Sequence, residues 1–199
     1  MGRIFSPFQL GRSFEILPQD ESPIEEQRIS LWMAQGAFGS GEHETTASCL
    51  EILEDLDEVR GAKVLDLGSG TGILAIAAIK LGALHATCID IDPAAVKTCQ
   101  HNCIINNVED QVTHICGTLN EITAEDYDLI LANIYGDILL DVASDLVSKA
   151  RPGAPLLLSG ILYEYNFDVR NCYLRKGCNI EKNRMLDEFS TVLLRRTAG

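Results

Sequence analysis

The chain has 199 residues, 46% of them hydrophobic, enough for one well-buried core and too few for a second full domain. No stretch reaches the roughly 18 uncharged apolar residues of a membrane helix, and the first residues lack the apolar run of a signal peptide, so a soluble, cytoplasmic protein with no membrane partner is expected. A formal net charge of −13 disfavours direct binding to a nucleic-acid backbone and leaves a cationic partner, or plain solubility, as its use.

In chain order, residues 1–40 contain Pro7, Pro18 and Pro23 among scattered charges and read as extended segments and loops, a linker ahead of one α/β domain over 41–199. Thr45–Leu56 reads as an amphipathic helix with Cys49, Leu50, Leu53 and Leu56 inward. From Lys63 onward, β-rich runs alternate with helical ones, which predicts a parallel sheet covered by helices. The expected strands are Lys63–Leu67, Ala86–Ile91, Val112–Cys116, Tyr127–Ala132 and Ala154–Ser159, several continuously apolar, as strands buried on both faces are. Ile73–Leu81 is an apolar helix stopped at Gly82, and Asp92 and Pro93 start a second helix running to Asn106. A helix over Tyr163–Arg175 precedes an antiparallel pair, Asn179–Met185 and Phe189–Arg196. The sum is a seven-stranded, mostly parallel sheet with one antiparallel strand.

The seven cysteines, Cys49, Cys88, Cys99, Cys103, Cys116, Cys172 and Cys178, are odd in number and fall mostly in apolar patterns, which suits reduced thiols used as core residues. Cys99, His101 and Cys103 lie close in sequence, but on a helix only the cysteines share a face, so no metal site is expected there.

The informative segment is Val64-Leu65-Asp66-Leu67-Gly68-Ser69-Gly70-Thr71-Gly72, which leaves a strand through three alternate glycines and enters a helix. Gly68 and Gly70 let ligand atoms approach the backbone, and Gly72 permits close packing at the helix start. Asp90, 18 residues after Gly72 at the end of the next strand, is placed to accept bonds from both hydroxyls of a ribose, with Ile91 beside it. Dinucleotide oxidoreductases use the wider spacing G-x-G-x-x-G, and Asp66 ahead of the turn favours a cationic ligand over a pyrophosphate. S-adenosylmethionine therefore ranks ahead of a nicotinamide cofactor. Asn133 follows the fourth strand, at the sheet edge where α/β folds bind ligands, and either holds an acceptor amine or bonds its own turn.

With Gly36-Ala37-Phe38-Gly39-Ser40-Gly41-Glu42-His43-Glu44-Thr45-Thr46, Ile89-Asp90-Ile91-Asp92-Pro93 and Ala132-Asn133-Ile134 in this order, the chain resembles the PrmA family. Those enzymes methylate amino groups of ribosomal protein L11. The resemblance implies a Rossmann-like class I methyltransferase fold, a protein substrate that is a ribosomal protein, and cofactor-binding positions at Phe38, Thr46, Gly68, Asp90 and Asn133. With Asp66, Gly70, Gly72 and Ile91 from the turn and strand argument, these complete the expected site. Asn133 is the expected catalytic residue, holding the amine nitrogen toward the methyl group. Family members usually carry a separate N-terminal recognition domain, and this chain matches only the catalytic part and the segment joining the two. The family commonly reads G-T-G-T-H-P-T-T where residues 39–46 here carry Glu42 and Glu44, acids that either favour a lysine-bearing substrate or are solvated helix-start residues. Tyr135 stands where an aliphatic residue is usual, either lining the acceptor channel or filling space. Gly117-Thr118 lacks the acid many methyltransferases set against the adenine amine, and His43 is either a base or a structural loop residue. A small-amine acceptor and a non-catalytic cofactor-binding protein stand as alternatives.

Overall fold

The computed structural model describes residues 5–34 and 43–198. Three short strands come first: β1 (Phe8–Leu10), β2 (Phe14–Pro18) and β3 (Ile29–Met33), with β1 antiparallel to β2 and β2 parallel to β3. The expected extended segments are therefore present, but they pair into a sheet of their own. Phe14, Ile16, Leu31 and Met33 are fully buried in the same hydrophobic core as the helices that follow. The prolines and charges hid this, because a charge can be satisfied inside: buried Glu15 accepts bonds from the Ile24 and Glu25 amides and from the Ser30 hydroxyl.

The main sheet contains β4 (Lys63–Leu67), β5 (His85–Asp90), β6 (Val112–Cys116), β7 (Leu129–Asn133), β8 (Pro155–Leu162), β9 (Cys178–Met185) and β10 (Phe189–Arg196). Its order is β6-β5-β4-β7-β8-β10-β9, and only β10 runs against its neighbours. This is the expected α/β sheet of seven strands with one antiparallel strand. The continuous apolar runs are explained by burial on both faces: Val64, Leu129 and Leu131 join one core, whereas Leu65, Ile130 and Ala132 join the other. Helices α1 (Glu44–Leu53), α2 (Ile73–Lys80) and α3 (Pro93–Ile105) cover the first face. Helices α4 (Gly136–Asp141), α5 (Ala143–Lys149) and α6 (Asn166–Arg175) pack on the second.

Element ends differ from expectation where local geometry intervenes. β7 begins only at Leu129, because Asp126 takes a positive φ of 61° and Tyr127 forms a single bridge to Ala150. β8 runs three residues further, to Leu162, since β10 supplies backbone partners there. The start of α3 follows the sequence signal closely, with Pro93 in the first turn and the Asp92 side chain accepting the Ala94 amide at 2.9 Å. No helix among the described residues is long and apolar enough to cross a membrane.

Candidate functional site

The turn after β4 is a backbone structure built by its neighbours. The amides of Gly68 and Ser69 both donate to the Ile89 carbonyl, at 2.8 and 3.1 Å, which ties the turn to β5. Gly68 and Gly72 have φ values of 69° and 79°, where a side chain is strained, and each is also crowded. A Cβ at Gly68 would lie 2.2 Å from Ile134 Cγ2, and one at Gly72 would lie 2.4 Å from Cys99 Sγ. Gly70 instead faces open space, its nearest such neighbour being the Gly68 carbonyl at 4.0 Å. Two glycines thus seat the turn, and the middle one opens it.

Asp90 closes β5 beside that opening. One of its carboxylate oxygens accepts the Gly70 amide at 2.9 Å and the other accepts the Asp92 amide at 3.0 Å. Both oxygens are oriented by backbone and retain lone pairs for further donors. Ile91, the next residue, is exposed. Asp66 has a different setting: it is 1% exposed, beneath the turn, with the Ala75 amide donating to it. Burial, reinforced by nearby Cys99, pushes its carboxyl up to about 8, and its Oδ2 has no hydrogen-bond partner. The carboxylate read as facing a cation is thus enclosed behind the turn.

Asn133 ends β7, and its Nδ2 donates to the Thr46 hydroxyl at 3.3 Å, joining the sheet edge to buried Thr46 on α1. The start of α1 is built around its cap. His43 precedes the helix and its Nδ1 accepts the Thr45 amide, while its ring packs edge-on against Phe189 at 5.2 Å. His43 thus serves as the N-cap of α1. Glu44 accepts the backbone amides of Asp187 and Glu188 at 3.1 and 3.3 Å, so it fastens the β9–β10 connection to α1 and is not a loosely solvated acid. Thr46, Gly68, Gly70, Asp90 and Asn133 therefore converge on the carboxyl edge of β4, β5 and β7. Phe38 and Glu42 lie outside the described residues.

A family model described as ribosomal protein L11 methyltransferase (PrmA) matches residues 2–197. The chain belongs to the PrmA family. A ribosomal protein L11 methyltransferase of Trichlorobacter lovleyi is 42% identical over 174 residues, 84% of this chain and 57% of that protein. The chain thus spans little more than half the length of that relative. A crystal structure of ribosomal protein L11 methylase from Lactobacillus delbrueckii subsp. bulgaricus superposes with a TM-score of 0.86 at 26% identity, covering 97% of this chain and 98% of that one. Magnesium protoporphyrin IX methyltransferase from Synechocystis, solved with bound S-adenosylmethionine, shares the fold at a TM-score of 0.64 and 20% identity, over 75% of this chain and 77% of that one.

Within this PrmA chain the sequence left one contributor unread. Asn102, fully buried on α3, donates to the Thr71 carbonyl at 2.8 Å and accepts the Ala34 amide at 2.9 Å, bracing the glycine turn from behind. Its signal was present, since a lone amide three residues after Cys99 sits on the apolar face of the helix. Tyr135, Tyr163 and Phe167 are 63%, 70% and 66% exposed, on the leading edges of α4 and α6, which pack together. Tyr135 is therefore a surface residue beside Asn133 and fills no core space. Near Gly117-Thr118 the nearest acid, Glu121, folds back onto the Thr118 amide and hydroxyl at 2.7 and 2.8 Å. His101 points outward to Gln19, as the helical spacing required.

Proposed function

We propose that this chain is an S-adenosylmethionine-dependent N-methyltransferase acting on an amino group of a ribosomal protein, in the cytoplasm; its PrmA relatives carry the name ribosomal protein L11 methyltransferase. The observation that carries the reading is the pairing of Asp90 with Gly70: a carboxylate aimed by two backbone amides beside a turn whose middle glycine is open. That arrangement fits a ribose against the carboxylate and the cofactor's polar end against the turn. When bound, S-adenosylmethionine supplies a methyl group on a positively charged sulfur. Asp90 anchors the nucleoside through its remaining lone pairs, and Thr46 and Phe38 are assigned to the same ligand. Gly68, Gly70 and Gly72 shape the turn, Ile91 borders it, and Asp66 supports it from beneath.

Asn133 is the proposed catalytic residue. With its Nδ2 committed to Thr46, its carbonyl oxygen is left to accept an N–H of the incoming amine and so direct the nitrogen lone pair. A neutral amine displacing a cationic leaving group needs little acid–base help, so the chain contributes mainly alignment. The acidic surface, net −13, suits a lysine-rich acceptor. The exposed ring of Tyr135, two residues after Asn133, offers it an apolar contact at that edge.

The test is transfer of labelled methyl from S-adenosylmethionine, offered ribosomal protein L11 and a whole-cell protein extract in parallel. Label on the ribosomal protein is expected; label only on another band keeps the chemistry and replaces the substrate, and no label with intact cofactor binding overturns the protein acceptor in favour of a small amine or a non-catalytic role. Asp90→Ala is expected to weaken cofactor binding by on the order of 100-fold, as loss of a charged double acceptor does. Asn133→Ala is expected to lower turnover by on the order of 100-fold with cofactor affinity nearly kept. Equal loss of affinity in both variants, with turnover at saturation intact, would sink that division of roles.

A further inference from the structure

A row of polar side chains crosses the sheet behind the glycine turn. Asp66 on β4 is in register with Cys88 on β5, and Cys88 is in register with His114 on β6, so the three share the face that α3 covers. From α3, Cys99 and Cys103 enter the same face one turn apart, both fully buried. The donor atoms of Cys88, Cys99 and His114 all lie within 4.8 Å of one another. Cys103 lies four residues after Cys99 on the same face of α3 and is buried with it. The Nδ1 of His114 is buried without a hydrogen-bond partner. A buried ring nitrogen left without a partner is a group that packing of small thiols alone does not require.

We propose that Cys88, Cys99 and His114, with Cys103 closing the fourth position, bind a zinc-type soft divalent cation behind the cofactor turn. Three sulfurs and an imidazole form a tetrahedral donor set for such a cation. Metal–ligand bonds of ~2.0–2.3 Å place donor atoms roughly 3.3–3.8 Å apart, so Cys88, Cys99 and His114, already within 4.8 Å of one another, need only a small inward movement, while Cys103, outside that group, closes in from the next turn of α3. The cysteines coordinate as thiolates, and their protons leave to solvent as the metal enters. β6 is the edge strand and His114 is only half-buried, which provides the way in. Because the Cys99 sulfur occupies the space where a side chain at Gly72 would stand, a bound metal also fixes the floor of the turn. The site is independent of the acceptor and of the methyl-transfer reading.

Titration of the reduced full chain with Co²⁺ tests this directly. The expected result is thiolate-to-cobalt absorption with intense tetrahedral ligand-field bands, saturating at one equivalent. Zn²⁺ should bleach them, and they should be lost in Cys99→Ser and in His114→Gln. Cys116→Ser and Cys172→Ser, which change cysteines outside the cluster, should retain them. The wild-type titration needs no variant, so a misfolded mutant does not mask failure. Absence of tetrahedral thiolate absorption in the wild type, or its persistence in folded His114→Gln and Cys88→Ser, would overturn the proposal.

Discussion

At Gly72 a backbone requirement and a packing requirement fall on one residue. Its φ of 79° is strained for any side chain, and a methyl there meets Cys99 Sγ at 2.4 Å. Gly72→Ala is therefore expected to destabilise the fold by ~2–4 kcal/mol, combining left-handed strain with overpacking. A double-mutant cycle with Cys99→Ala separates the two: the packing part should couple by at least ~0.5 kcal/mol, whereas the backbone part should persist. Additive effects would mean that Cys99 yields freely and that only φ matters. The G-x-G-x-G spacing was legible as a turn, but the collision partners are distant: Ile134 sits 66 residues beyond Gly68, and Cys99 lies on the helix after the one Gly72 opens. No local pattern encodes them.

At the scale of elements, Glu44 and Lys80 show how helix ends are tied down. Glu44→Gln keeps the shape of the brace to Asp187 and Glu188 but weakens its charge-assisted bonds, for an expected loss of about 1 kcal/mol. Faster hydrogen exchange at those two amides would check it, and unchanged protection would show that the β9–β10 connection holds itself. Lys80, at the end of α2, donates to the Ser30 carbonyl at 2.8 Å and lies over the Trp32 ring. Burial pushes its ammonium down from 10.5 to about 8. Below about pH 8 the ion is charged in both states and the burial penalty stands in full. Between about 8 and 10.5 the unfolded chain binds the extra proton, so this residue's contribution to stability rises with pH. Urea midpoints of wild type and Lys80→Met across that window should diverge in favour of wild type as pH rises, because the variant lacks the titration. A constant difference would mean that Lys80 stays exposed enough to titrate normally.

For the molecule as a whole, β1–β3 share one core with the helices of the main sheet, since Phe14, Leu31 and Met33 pack with α1, α2 and α3. Leu31→Ala, at a fully buried position, is expected to cost about 2–5 kcal/mol and to lower the midpoint of one cooperative transition. Two separated transitions in calorimetry would instead mean that the small sheet unfolds alone. The sequence by itself determined the α/β alternation, the reversed last hairpin, the glycine turn and the carboxylate at Asp90, because periodicity, caps and turn chemistry are local. Tertiary structure alone decided that the first strands form a sheet, that Asp66 is enclosed, and that Cys88 and His114 meet Cys99 and Cys103 across three elements. Those outcomes depend on strand register and on which helix covers which face, and register links residues that are distant along the chain.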